Sequence, residues 1–177
     1  MADEQSPNGD ETSREPAAPE GGVQFAIQKI YVKDLSFEAP AAPDIFRAQR
    51  WEPEINLQLG SEARRLEGPL YEVVMTLTLT ASQDGRTVYL VELQQAGIFH
   101  IEGIEGQDLG AVLGAHCPAI LFPYAREAVS DLVTRGGFPQ MLLAPINFDA
   151  VYQETLRRRG EQAAGGGEEP GPAQQPH

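Results

Sequence analysis

"LYEVVMTLTLTASQDGRTVYLVELQQAGIFHI", Leu70 to Ile101, decides the fold. Tyr71, Val73, Met75, Leu77 and Leu79 alternate with Glu72, Thr76, Thr78 and Thr80, the two-residue period of a strand with one apolar and one polar side. "SQDGR" interrupts the pattern, and Asp84-Gly85 tolerates the positive φ angles of a tight hairpin loop. Alternation resumes at Thr87, with Val88, Leu90, Glu92 and Gln94 on one face and Tyr89, Val91, Leu93 and Gln95 on the other. The stretch reads as a hairpin of two long strands, Leu70–Ser82 and Thr87–Ile101.

Toward the N-terminus the same period predicts two more strands. Pro53–Leu59 sets Ile55, Leu57 and Leu59 against Glu54, Asn56 and Gln58. Val23–Phe37 sets Val23, Phe25, Ile27, Tyr31, Leu35 and Phe37 against Gln24, Gln28, Asp34, Ser36 and Glu38. Toward the C-terminus the period lengthens. "PAILFPYAREAVSDLVTRGGFP" carries Val129, Leu132 and Val133 at helical spacing, with Pro123 suited to a first turn and an Arg-Gly-Gly stop. A last helix is expected over Phe148–Arg159, opened by Asn147 as N-cap and carrying Val151, Tyr152, Thr155 and Leu156. Strands first and helices afterwards describe an α+β domain. The expectation is a four-stranded antiparallel sheet, one face covered by two C-terminal helices and the other in water.

The chain has 177 residues and a formal net charge of −13, unevenly spread. Residues 1–22 hold six acids against Arg14, a balance of −5, and 160–177 hold three acids with no Lys or Arg. Both ends are rich in Pro, Gly and Glu and poor in anything to bury, so 1–22 and 160–177 are expected to be disordered acidic tails around one folded domain, 23–159. Nucleic acid is excluded as a partner by the scarcity of cations. The basic run Arg157-Arg158-Arg159 is read as a helix C-terminus meeting its dipole. No apolar stretch is long enough to span a bilayer, and the start lacks the basic and apolar regions of a secretory signal. With Cys117 as the single cysteine there is no internal disulfide, and a reducing, cytoplasmic setting is expected.

Chemistry is hard to find. His116-Cys117 are neighbours in sequence, a poor arrangement for nucleophile and base, and Cys117 sits in an apolar context that suits an inert thiol. The histidines are His100, His116 and His177, without CxxC or HExxH, so neither a metal nor a cofactor is expected. The glycines of "GIEG", Gly106 and Gly110 lack the lysine and hydroxyl of a phosphate loop and suit a connector. Asp34 and Glu38, four residues apart on a strand, are separated by about 13 Å, too far for a cooperating carboxyl pair. With Leu90 and Glu92 they form either an ordinary solvated face or an acidic patch for a basic partner. Trp51, in the loop-like "RAQRWEPE", is either a clamp on the core or the wall of an apolar groove shared with Tyr152 or Phe148.

"IYVKDLSFEAP", "WEPE", "YEVVMTLTLTAS", "ELQQAGIFHIEGIEG", "LGAHCPAILFPYARE" and "RGGFPQMLLAPINFDAVY" together resemble the SecB family of protein-export chaperones, from about Phe25 to Leu156. That resemblance implies a homotetramer, a dimer of dimers, in which two four-stranded sheets join and the long helices lie between eight-stranded sheets. It implies that Val91, Leu93 and Gln95, with Tyr89, influence the dimer–dimer association. It implies surface grooves for unfolded precursor proteins, with Trp51 and Tyr152 contributing to them. It also gives Asp34, Glu38, Leu90 and Glu92 a partner, the translocase ATPase SecA, which docks through a small basic C-terminal domain carrying its own zinc. The implied activity is an ATP-independent holdase and not an enzyme. Two rivals remain at this stage: an acidic adaptor that never handles unfolded chains, and a SecB-like chaperone serving a toxin–antitoxin pair.

Overall fold

The computed structural model describes residues 22–165. The acidic tails expected at 1–22 and 160–177 lie outside the described residues, except Gly22 and the stretch 160–165, which continues the last helix. Strands β1 (Gln24–Glu38), β2 (Glu54–Arg65), β3 (Leu70–Gln83) and β4 (Arg86–Glu102) form one antiparallel sheet in the order β1-β4-β3-β2. The β3–β4 hairpin turns through Asp84 at φ 53° and Gly85 at φ 73°, the two positive angles whose twist matches the flanking strands. Leu77 faces Leu93, Leu79 faces Val91, and on the other side Leu57 faces Leu79. These apolar rungs make the inner face. Val88 departs from the simple alternation: the pairing skips it, and its side chain is buried with the core.

β1 obeys the two-residue period only in pieces. The pairing with β4 skips Gln28 and Lys33, and each skipped residue exchanges the faces of everything beyond it. Ile30 and Val32 therefore join Phe25 and Ile27 on the inner side, while Tyr31, expected there, points outward and donates its hydroxyl proton to Glu72. The second bulge cancels the first. Leu35 and Phe37 return to the inner side, and Asp34, Ser36 and Glu38 to the outer one, as alternation alone required. Next to that bulge the Gln95 amide donates to the Tyr31 carbonyl at 3.0 Å.

The helical region starts earlier than its apolar pattern indicates. α1 (Gly106–Ala111), a π-helical turn (Val112–His116) and α2 (Cys117–Arg135) run on as one rod. Pro123 lies inside α2, not in a first turn. Pro118 has no N–H for the Gly114 carbonyl and crowds it, and the widened π turn directly before it relieves that crowding. The rod ends as expected. Gly137, at φ 86°, donates to Thr134 O at 3.0 Å and Phe138 to Val133 O at 3.2 Å, the paired closure of a Schellman motif. α2 covers β4 and β3 with Leu121, Phe122, Ala125, Val129 and Val133, all buried. Each of these side chains except Ala125 contributes roughly 1.5–3 kcal/mol of apolar burial.

α3 (Phe148–Gly165) begins where Asn147 Oδ1 accepts the Ala150 N–H at 3.0 Å. It rests chiefly on the π turn, beside the β2 edge. It does not stop at Arg159. Arg157 and Arg158 lie mid-helix and pair with Glu154 at 2.7 and 2.8 Å, so they are surface ion pairs and not a cationic C-terminus.

Candidate functional site

The antiparallel register gathers the acidic residues on one face. Glu38 stands opposite Leu90, Ser36 opposite Glu92 and Asp34 opposite Gln94, with Thr80 and Thr78 beyond Leu90 and Glu92 on β3. Neighbouring side chains across such rungs lie about 5 Å apart, so Glu38, Leu90 and Glu92 form one patch, with Asp34 at its margin. The three carboxylates are exposed and Leu90 is half-buried. Among the described residues none of the three forms an ion pair. The patch reaches the β1 edge of the sheet and presents negative charge around one apolar side chain.

Further along the same outer face a carboxylate is fully committed. Glu72, 5% exposed, accepts the Tyr31 hydroxyl, Lys33 Nζ at 3.0 Å and Arg64 Nη2 at 2.6 Å. The Tyr31 hydrogen bond above all, then those from Arg64 and Lys33, holds its pKa down at about 2. Lys33 is the residue that the second bulge sets free, so the bulge that restores the face of Asp34 also delivers a cation to Glu72.

Trp51 and Tyr152 do not share a pocket. They mark two ends of one apolar edge along β2. At the first end the Trp51 ring packs on Phe138 with centroids 5.5 Å apart. Phe138 also meets Phe46 at 5.1 Å and Tyr89 at 4.9 Å. The connector carrying Trp51 is pinned by Gln83, which donates to the Arg50 carbonyl at 3.1 Å and accepts the Glu52 N–H at 3.0 Å. Trp51 is thus both a clamp on the core and part of an aromatic surface on which Phe46 remains 51% exposed.

At the second end, α3 and the π turn face β2 across a groove of about 570 Å³ lined by Leu59, Ala63, Leu113, Phe148, Val151 and Tyr152. Six residues of strand, roughly 20 Å, separate the ends. Ile55 and Leu57, 40% and 36% exposed on the inner side of β2, join them. Sequence reasoning did not single out Phe46, Phe138, Ile55 and Leu57 as members of this apolar edge. The first two stand in loops without period, and the last two look like ordinary inner-face residues until α2 is seen to leave β2 uncovered.

Val91, Leu93 and Gln95 lie on the inner face beneath α2, at 0%, 1% and 3% exposure. They have no surface to offer a second copy directly. Cys117 is wholly buried, and burial pushes its thiol up to about 12. The His116 ring packs on Phe25 at 5.0 Å and His100 meets Glu102 at 3.3 Å, so neither histidine activates the thiol. No described helix is long and apolar enough to cross a membrane.

The family model described as "Preprotein translocase subunit SecB" matches residues 18–159. "Protein-export protein SecB" of Marinobacter nauticus is 50% identical over 93% of this chain and 95% of its own length. The protein of the same name from Methylococcus capsulatus is 55% identical over 79% of this chain and 90% of its own. Among solved structures, a SecB-like chaperone of Mycobacterium tuberculosis, in complex with an antitoxin peptide, superposes with a TM-score of 0.57. It is 18% identical and covers 69% of this chain and 90% of its own, a likeness of fold.

Proposed function

The chain belongs to the SecB family of protein-export proteins, and on that footing we propose a cytoplasmic, ATP-independent holdase with two working surfaces on opposite sides of one sheet. The inner side, from Trp51 along Ile55 and Leu57 to Tyr152, takes extended stretches of unfolded precursor proteins. The outer side, with Asp34, Glu38, Leu90 and Glu92, receives the basic zinc-bearing domain of SecA. The observation that carries this reading is the register of β1 on β4. It sends the carboxylates outward while the same strands turn their apolar residues toward the helices. A motor can therefore dock while the groove is still filled.

Capture yields about 25 cal/mol per Å2 of apolar area buried, reduced by the cost of ordering the client. Each contact is weak and tolerant of sequence. A homotetramer offers several grooves to one client, and linkage of those contacts raises avidity by about 10²–10⁴. Val91, Leu93 and Gln95 act on assembly through α2, whose inner side they support. Ile27, Val32 and Leu35, 48%, 48% and 39% exposed on the inner side of the β1 edge, supply apolar surface that association would cover.

The test is native mass measured with and without a permanently unfolded polypeptide. A tetramer that takes up the polypeptide is the expected result. A monomer indifferent to it would overturn the reading in favour of an adaptor.

A further inference from the structure

We infer that Gly110 and Gly114 are positioning residues of the groove: they form a slot that seats the Tyr152 ring and so sets how far α3 stands from β2. A Cβ built on Gly114 would lie 2.5 Å from Tyr152 Cδ2 and Cε2, and one on Gly110 would lie 2.6 Å from the Tyr152 hydroxyl oxygen. Neither contact is tenable, so the ring occupies the space two side chains would fill. Across the groove a Cβ on Gly60 would meet nothing within 4 Å. The crowding belongs to the side that holds Tyr152.

The surroundings make this seat decisive for α3. Gly114 lies within the π turn, the element on which α3 chiefly rests. Beyond its first two turns α3 is a polar helix occupied with Glu154, Arg157, Arg158 and Glu161 pairs. Glycine weakens a helix relative to alanine, so two glycines four apart in this rod are a local loss that close approach of the ring explains. The inference rests on the groove being the client site, but its physical content, the seating of α3, can be read without a client.

The experiment places Gly114→Ala and Gly110→Ala in the native, Tyr152→Phe and Tyr152→Ala backgrounds of the full chain. The readouts are Tm, the rate of tryptic cleavage after Arg157–Arg159, and affinity for a reduced, carboxymethylated polypeptide. In the native background Gly114→Ala should lower Tm by about 3–5 °C, speed cleavage roughly tenfold as α3 opens, and weaken capture about threefold or more. With Tyr152→Ala the sign should reverse: Gly114→Ala raises Tm by about 1–4 °C, because alanine is the better helix former, and changes neither cleavage nor capture. Tyr152→Phe should rescue Gly110→Ala, which meets the hydroxyl, but not Gly114→Ala, which meets the ring. Equal effects of Gly114→Ala with and without the ring, or unchanged cleavage and capture in the native background, would overturn the inference. Failure of the unaltered chain to capture the polypeptide counts against the groove reading alone, and the Tm and cleavage comparisons still decide the seating.

Discussion

Glu72 is the carboxylate of the outer face that the fold consumes. Its three donors come from β1 and β2, on either side of its own strand pair, so it ties the two edges of the sheet. Removing it by Glu72→Ala should cost about 2 kcal/mol, the usual size for hydrogen bonds to a charged group, measured as a drop in the urea midpoint. Its pKa is depressed from 4.5 to about 2, so folding favours the ionised form. The contribution is complete above about pH 4.5 and disappears as pH falls through about 2. The gap in urea midpoint between the native chain and Glu72→Gln should therefore be constant near neutrality and close over that acid window. Cys117 gives the opposite case. With its thiol pushed up to about 12 by burial, labelling of the native protein by a thiol reagent should be slower than in denaturant by at least roughly a hundredfold.

The elements show why some of this was legible and some was not. β3 and β4 were read correctly from Leu70 to Ile101, apart from the face of Val88, because both faces otherwise keep alternation across a loop of known chemistry. On β1 the faces of Asp34 to Glu38 were read correctly although that of Tyr31 was not, because one bulge undid the other. No local signal marks Gln28 or Lys33 as extra residues; only the pairing with β4 does. The rod beginning at Gly106 was hidden because glycine reads as a breaker. Those at 110 and 114 are there for a neighbour more than thirty residues away in sequence. For Trp51 and Tyr152 the residues left a core clamp and a groove wall as alternatives, and only the family resemblance chose between them. A contact such as Trp51 on Phe138 links two loops that have no period. Phe138 closes the Schellman motif of α2 and anchors the aromatic cluster, so Phe138→Ala should cost about 3–5 kcal/mol in urea unfolding. Phe46→Ala, at a half-exposed ring, should cost under about 1 kcal/mol yet lower affinity for unfolded polypeptide.

At the scale of the molecule the two surfaces should be separable. Asp34→Lys with Glu92→Lys replaces two exposed negative charges on the outer face. SecA zinc-domain binding should weaken by about tenfold or more while client capture changes by less than about twofold, read by titration against each partner. Native docking should also weaken progressively as salt rises from about 0.05 to 0.5 M. Salt-independent affinity would contradict an electrostatic platform.

β1 carries a further consequence. From Asp34 to Glu38 its odd residues serve one surface and its even residues the other, with a side change at every step. A one-residue insertion or deletion at Lys33, unless taken up by another bulge, would turn Leu35 and Phe37 outward and Asp34 and Glu38 inward together, and one further along would do the same to the residues beyond it. Lineages carrying this protein are thus free to exchange letters in this run of positions but not to change its spelling length, and alignments should show substitutions there without gaps.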